Sequence, residues 1–106
     1  MSTQPWVAAG INSDDERVRM TAAYHQFIAS AKVVKIAHKI NPDNKVGMMY
    51  CGHFSYAHSA NPDDVIGTMN FMHSMMFYCD VQCRGYYPQY KLKELERLHI
   101  TLPIQE

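Results

Sequence analysis

Cysteine is scarce in this chain and odd in number, three in 106 residues, and no Asn-x-Ser/Thr sequon occurs. A secreted disulfide framework needs paired cysteines, and eight methionines sit badly with an oxidising compartment. Reduced thiols are the expectation. Long apolar runs are missing too. None nears the roughly 18 residues of a membrane span, and Met1-Ser2-Thr3-Gln4 has neither a basic nor an apolar leader segment. An excess of either charge is also absent: ten basic residues face ten acidic ones, with a pI near 7.0. That leaves no electrostatic footprint for nucleic acid or an anionic membrane. The chain therefore reads as soluble and cytoplasmic. At this length it is one domain at most, with a thin core and marginal stability unless chains associate. No internal repeat or low-complexity tract is present.

What is present is a series of well-punctuated elements. Residues 1–12 have no period and carry Pro5, Gly10 and Asn12, so they read as an irregular arm anchored at most by Trp6 and Val7. Ser13 followed by Glu16 has capping-box spacing and predicts a helix over 13–40. Its apolar stripe is Met20, Ala23, Phe27, Ala31 and Val34, widened by Tyr24 and Ile28. Asn41-Pro42-Asp43-Asn44 stops it. The run 46–50, Val-Gly-Met-Met-Tyr, is apolar on both faces and bounded by turn signals, which predicts a short buried strand of a parallel sheet. Asn61 as N-cap, Pro62 at the first turn and Asp63 and Asp64 behind it predict a helix over 62–83. Its expected buried stripe is Val65, Met69, Met72, Met76, Cys79 and Cys83, with Gly85 as a left-handed stop. A third helix is predicted over 89–98, with Leu92, Leu95 and Leu98 inward and Lys91, Lys93, Glu94, Glu96 and Arg97 outward.

Chemistry is harder to find. The six histidines (His25, His38, His53, His58, His73 and His99) show no zinc-helix spacing with a flanking carboxylate, so no metal site and no cofactor is expected. Cys79 and Cys83 share a helical face, and packing as a continuation of the methionine stripe explains them. Tyr86 and Tyr87 after Arg84 have the makings of a sugar-stacking pair, weighed against a plain packing wedge. The loop 51–60 follows the expected strand, at the edge where α/β folds place their sites.

In order, the residues resemble the middle of a family 1 glycoside hydrolase, most closely its bacterial 6-phospho-β-glucosidase branch. The likeness runs through Tyr24-His25-Gln26-Phe27-Ile28-Ala29-Ser30-Ala31, Lys35-Ile36-Ala37-His38-Lys39-Ile40-Asn41-Pro42 and Lys45-Val46-Gly47-Met48-Met49. It continues at Asn61-Pro62-Asp63-Asp64-Val65 and Asp80-Val81-Gln82-Cys83-Arg84-Gly85-Tyr86-Tyr87-Pro88. The resemblance implies an internal piece of a (β/α)8 barrel that runs from helix 4 to just before strand 6. It also implies retaining hydrolysis of β-glucosides phosphorylated at the 6-position by the intact family, through two carboxylates. The family carries these in an Asn-Glu pair and a Glu-Asn-Gly context. None of the four glutamates, Glu16, Glu94, Glu96 and Glu106, stands in either. No catalytic residue is carried over. His53 and Tyr56 remain as candidate substrate-rim contacts, in a loop that departs from the family pattern at His53-Phe54-Ser55 and Tyr56-Ala57.

The resulting expectation is a mostly helical α/β fragment over 1–106, three helices and one short strand, inactive alone and completed by self-association, most simply as a two-fold dimer. The alternative is a helical self-association or adaptor module that reuses barrel elements. A thiol or metal sensor built on Cys51, Cys79 and Cys83 ranks last.

Overall fold

Asp15, not Ser13, caps the first helix. In the computed structural model, which describes residues 12–50, 52 and 54–104, α1 spans Glu16–Ile40. The Asp15 carboxylate accepts the Arg17 amide at 2.9 Å. Ser13 Oγ instead accepts the Asp15 amide, at 3.2 Å. The expected capping box does not form because Glu16 is drawn away by Arg19, which also pairs with Asp14. A carboxylate at the cap also suits the positive end of the helix dipole. At the other end Asn41 Oδ1 accepts the Asp43 amide, and Asn44 Nδ2 donates to Ala37 O, both at 3.0 Å. Ala37 O also accepts the Asn41 amide at 3.0 Å, so the turn adds a second donor to a carbonyl of the last helical turn.

The second helix, α2, spans Pro62–Arg84, with Asn61 accepting the Asp63 amide at 3.0 Å and Gly85 closing it at φ +81°. That left-handed φ favours glycine because a Cβ would crowd the backbone. The third, α3, spans Gln89–Arg97 after Pro88. Among the described residues there is no strand. The segment 46–50 is exposed and irregular. A strand needs a partner for its amides, and no described segment pairs with this one. Tyr50 ties the segment down by donating its hydroxyl to Met75 O at 2.6 Å on α2.

The core lies where one end of α1, the second half of α2, α3 and the tail meet. Met20, Ala23 and Phe27 from α1 bury against Phe77 and Val81, Tyr87, Leu95 and Ile100. Phe77 is 0 % exposed. Its ring lies 5.5 Å from Phe27 and 5.3 Å from Tyr87, both edge-to-face, a geometry worth about 0.5–1.5 kcal/mol per pair beyond area burial.

Three expectations about faces are corrected here. On α2 the methionine stripe is not the core: Val65 and Met69 are exposed, as is Cys83, while Phe77 and Val81 are buried. The helix is apolar nearly all round, so its period does not select a face; the bulky Phe77 ring does. On α3 Lys91 turns inward and Leu98 outward. On α1 the stripe buries only as far as Phe27, and beyond it Val33, Ile36 and Ile40 are exposed, Ile40 by 77 %. The tail, in turn, folds back over α1. Arg17 donates to His99 O at 3.3 Å and Tyr24 to Pro103 O at 3.1 Å, which seats Ile100 in the core. The molecule is elongated as a result, 52 Å in its longest dimension, because a 25-residue helix of roughly 37 Å has packing partners along only part of its length.

Candidate functional site

Among the described residues, two depressions border the core. The larger, of about 690 Å³, runs between α1, the end of α2 and the tail. Its walls are Tyr24, Ile28, Ala31, Val34, Tyr86 and Ile104, with Lys35 and Gln82 at the rim. It is an unfilled helix face rather than a catalytic cleft: among the described residues its lining holds no carboxylate. Tyr87 bounds it from the core side, with a hydroxyl that has no hydrogen-bond partner among the described residues. Burial pushes that hydroxyl up to about 12, aided by Tyr24 and Tyr78. The aromatic pair is thus divided. Tyr87 is the packing wedge, and Tyr86 is exposed.

The smaller depression, of about 370 Å³, lies between α2 and α3 and is polar: Asn70, His73, Ser74, Tyr90, Lys93, Glu94 and Arg97 line it. Here the His73 and Tyr90 rings stack at 4.3 Å, nearly parallel. Tyr90 donates to Asp80 Oδ2 at 2.5 Å, and Arg84 approaches the other oxygen of Asp80 at 3.9 Å. Burial first, then the Asp80 carboxylate, push the Tyr90 hydroxyl upward. Such a phenol holds its proton and cannot act as a base near neutral pH. Beneath it Lys91, 2 % exposed, lays its ammonium over the Phe77 ring and pairs with Glu94.

Of the two expected rim contacts, the structure describes Tyr56 alone. Tyr56 is 88 % exposed, in a loop away from both depressions. His53 and Cys51 lie outside the described residues. No group of three or more metal-capable side chains converges among the described residues, and no helix there is long and apolar enough to cross a membrane. Cys79 and Cys83 do meet, Sγ to Sγ at 3.9 Å. Sequence reasoning missed the inward Lys91 and the His73–Tyr90 stack. The first had a signal, since Lys91 stands four residues before the buried Leu95 and so shares its face. The second had none, because it joins two helices through a turn whose geometry is tertiary.

The comparisons with known proteins agree with this ordering of elements. A 6-phospho-beta-glucosidase from Clostridium longisporum is 40% identical over 106 aligned positions, and 6-phospho-beta-glucosidase AscB from Escherichia coli (strain K12) is 36% identical over 106. A phospho-cellobiase from Klebsiella oxytoca is 37% identical over 103. Each alignment takes in 96% of this chain, yet the chain spans only 22% of each relative's length. The family model described as glycosyl hydrolase family 1 matches residues 4–106. A match over nearly every residue means that the chain belongs to glycosyl hydrolase family 1.

Proposed function

We propose that this chain supplies part of the scaffold of a cytoplasmic 6-phospho-β-glucosidase and does not hydrolyse glycosides by itself. One observation supports this above others: relatives named for that activity align along almost all of the chain but over about a fifth of their own length. In this reading the three helices belong to the outer layer of a (β/α)8 barrel, and residues 46–50 become a strand only when other strands flank them. Tyr56 and His53 then stand at the rim of the sugar site.

The chemistry argues the same way. Retaining hydrolysis requires two carboxyl groups about 5–5.5 Å apart, one to protonate the leaving oxygen and one to attack the anomeric carbon. Several of the described acidic groups are engaged in structural roles instead. Asp14 and Glu16 hold Arg19, Asp64 accepts from Ser59, Asp80 from Tyr90 and Glu94 from Lys91. None of the four glutamates has the Asn-Glu or Glu-Asn-Gly context. The test is hydrolysis of a chromogenic 6-phospho-β-glucoside by the purified chain. No turnover above buffer is expected, and turnover at the roughly 1–10³ s⁻¹ typical of enzymes overturns the reading.

Self-association is the second reading, favoured by the apolar residues that α1 leaves in water: Val33, Ile36 and Ile40, beside Ile28. Two copies related by a two-fold axis would bury these stripes on each other. Light scattering at micromolar concentration is expected to give a dimer, and a monomer sinks this second reading without touching the first.

A further inference from the structure

We propose that Cys79 and Cys83 form a two-sulfur clamp for a thiophilic main-group centre, the fitting class being a monosubstituted trivalent arsenical. Both thiols are free, Cys83 is exposed and Cys79 half-buried, and their sulfurs stand 3.9 Å apart on one face of α2. Packing does not account for them, because the core side of this turn is taken by Phe77 and Val81.

The helix decides what the pair can bind. Residues four apart on a helix hold their Cβ atoms about 5–6 Å apart. A disulfide needs about 3.5–4.5 Å. Direct S–S bonding would therefore have to unwind α2, whereas one bridging atom of the third or fourth row closes the gap with the helix intact. Zinc is the poorer occupant, since a stable structural site wants four ligands and no third metal-capable side chain joins the pair among the described residues. A monosubstituted arsenical asks for two sulfurs and no more. The reaction is a condensation without redox change: an R–As=O group and two S–H groups give R–As(S)₂ and one water. Both thiol protons leave on the departing oxygen, and arsenic stays trivalent. Hydrogen bonding with Cys83 pushes the Cys79 thiol up, which keeps it protonated and slow towards ordinary oxidants and alkylating agents. Binding through both sulfurs at once offsets this, because the second bond forms at high effective concentration.

Phenylarsine oxide is the probe. Intact mass of the folded chain should show one adduct, retained in excess monothiol and released by excess small dithiol, and thermal unfolding should shift upward on binding. Cys51→Ala is expected to keep this behaviour. Cys79→Ser and Cys83→Ser should each weaken retention at least tenfold, and Cys83→Ser, at an exposed position, should fold as the parent does. Full retention in either serine variant, loss in Cys51→Ala, or a fall in the unfolding midpoint on binding overturns the proposal.

Discussion

Lys91 Nζ lies 4.6 Å from the centroid of the Phe77 ring and 2.5 Å from Glu94 Oε2. A buried ammonium is costly unless its charge is met, and here one side of it faces a π cloud and the other a carboxylate. Removing the carboxylate should therefore hurt more than removing the charge itself. Glu94→Gln is expected to cost about 1–2 kcal/mol, less than the loss for a fully buried pair because Glu94 is partly solvated. Lys91→Met, which keeps the aliphatic stem, is expected to stay within about 1 kcal/mol of the parent. Urea unfolding of the two variants checks the order.

Phe77 is the residue on which α1, α2 and the Tyr87 turn converge. Phe77→Ala is expected to cost about 3–5 kcal/mol, most of the stability of so small a core. Met69→Ala, which removes an exposed member of the methionine stripe on the same helix, is expected to change stability by less than about 0.5 kcal/mol. Equal losses in circular-dichroism melts would contradict the assignment of faces.

Burial holds the Tyr87 proton more tightly in the folded state, up to about 12, than in the unfolded chain, where a tyrosine titrates near ~10. Its ionisation therefore leaves stability unchanged below about pH 10 and lowers it as pH rises from there through about 12, because the folded state resists the charged form. Tyr87→Phe deletes a buried hydroxyl that has no partner among the described residues, so a gain of about 1 kcal/mol is expected near neutral pH. The variant should also decline less steeply across the alkaline window. The decline should persist in part, since Tyr90 is shifted in the same direction. Denaturation midpoints at several alkaline pH values read both effects.

His99 holds a left-handed backbone, φ +54°, where the chain turns from α3 into the tail. Glycine adopts that region without strain, whereas a β-branched residue does not. His99→Gly is expected to be neutral or stabilising by up to about 1 kcal/mol, and His99→Val to destabilise by about 1–2 kcal/mol. A reversed order in thermal melts would show that the imidazole matters more than the backbone.

If α1 mediates self-association, Val33→Glu with Ile36→Glu should leave the monomer's stability unchanged within about 0.5 kcal/mol, because both side chains are already in water. The same pair should shift the light-scattering mass towards the monomer. An unaltered dimer would place the contact elsewhere.

Much of this architecture is legible in the sequence, wherever the cause is local. Asn61, Pro62 and Gly85 mark the ends of α2, and Asn41-Pro42 marks that of α1, because capping and left-handed stops act within a few residues. The first cap falls two residues beyond the expected Ser13, since Asp15 competes with it and Arg19 holds Glu16 away. The rim residues His53 and Tyr56 rested on the family likeness alone, and no periodicity or spacing in the loop supplies a geometry for them. Faces were the weaker part. A helix with Phe71, Met72, Met75, Met76, Phe77, Tyr78 and Val81 on every side has no single apolar stripe for periodicity to detect.

By itself, then, the sequence determined where helices start and stop, and the order of elements that marks the family, because both depend on short-range backbone chemistry and residue order. Tertiary structure decided which side of α2 is buried, why Lys91 points inward, that the tail returns over α1, and that residues 46–50 stay irregular. Each of those outcomes turns on which neighbour is available to bury a ring, match a charge or pair an amide. Neighbours of that kind are a property of the packed chain.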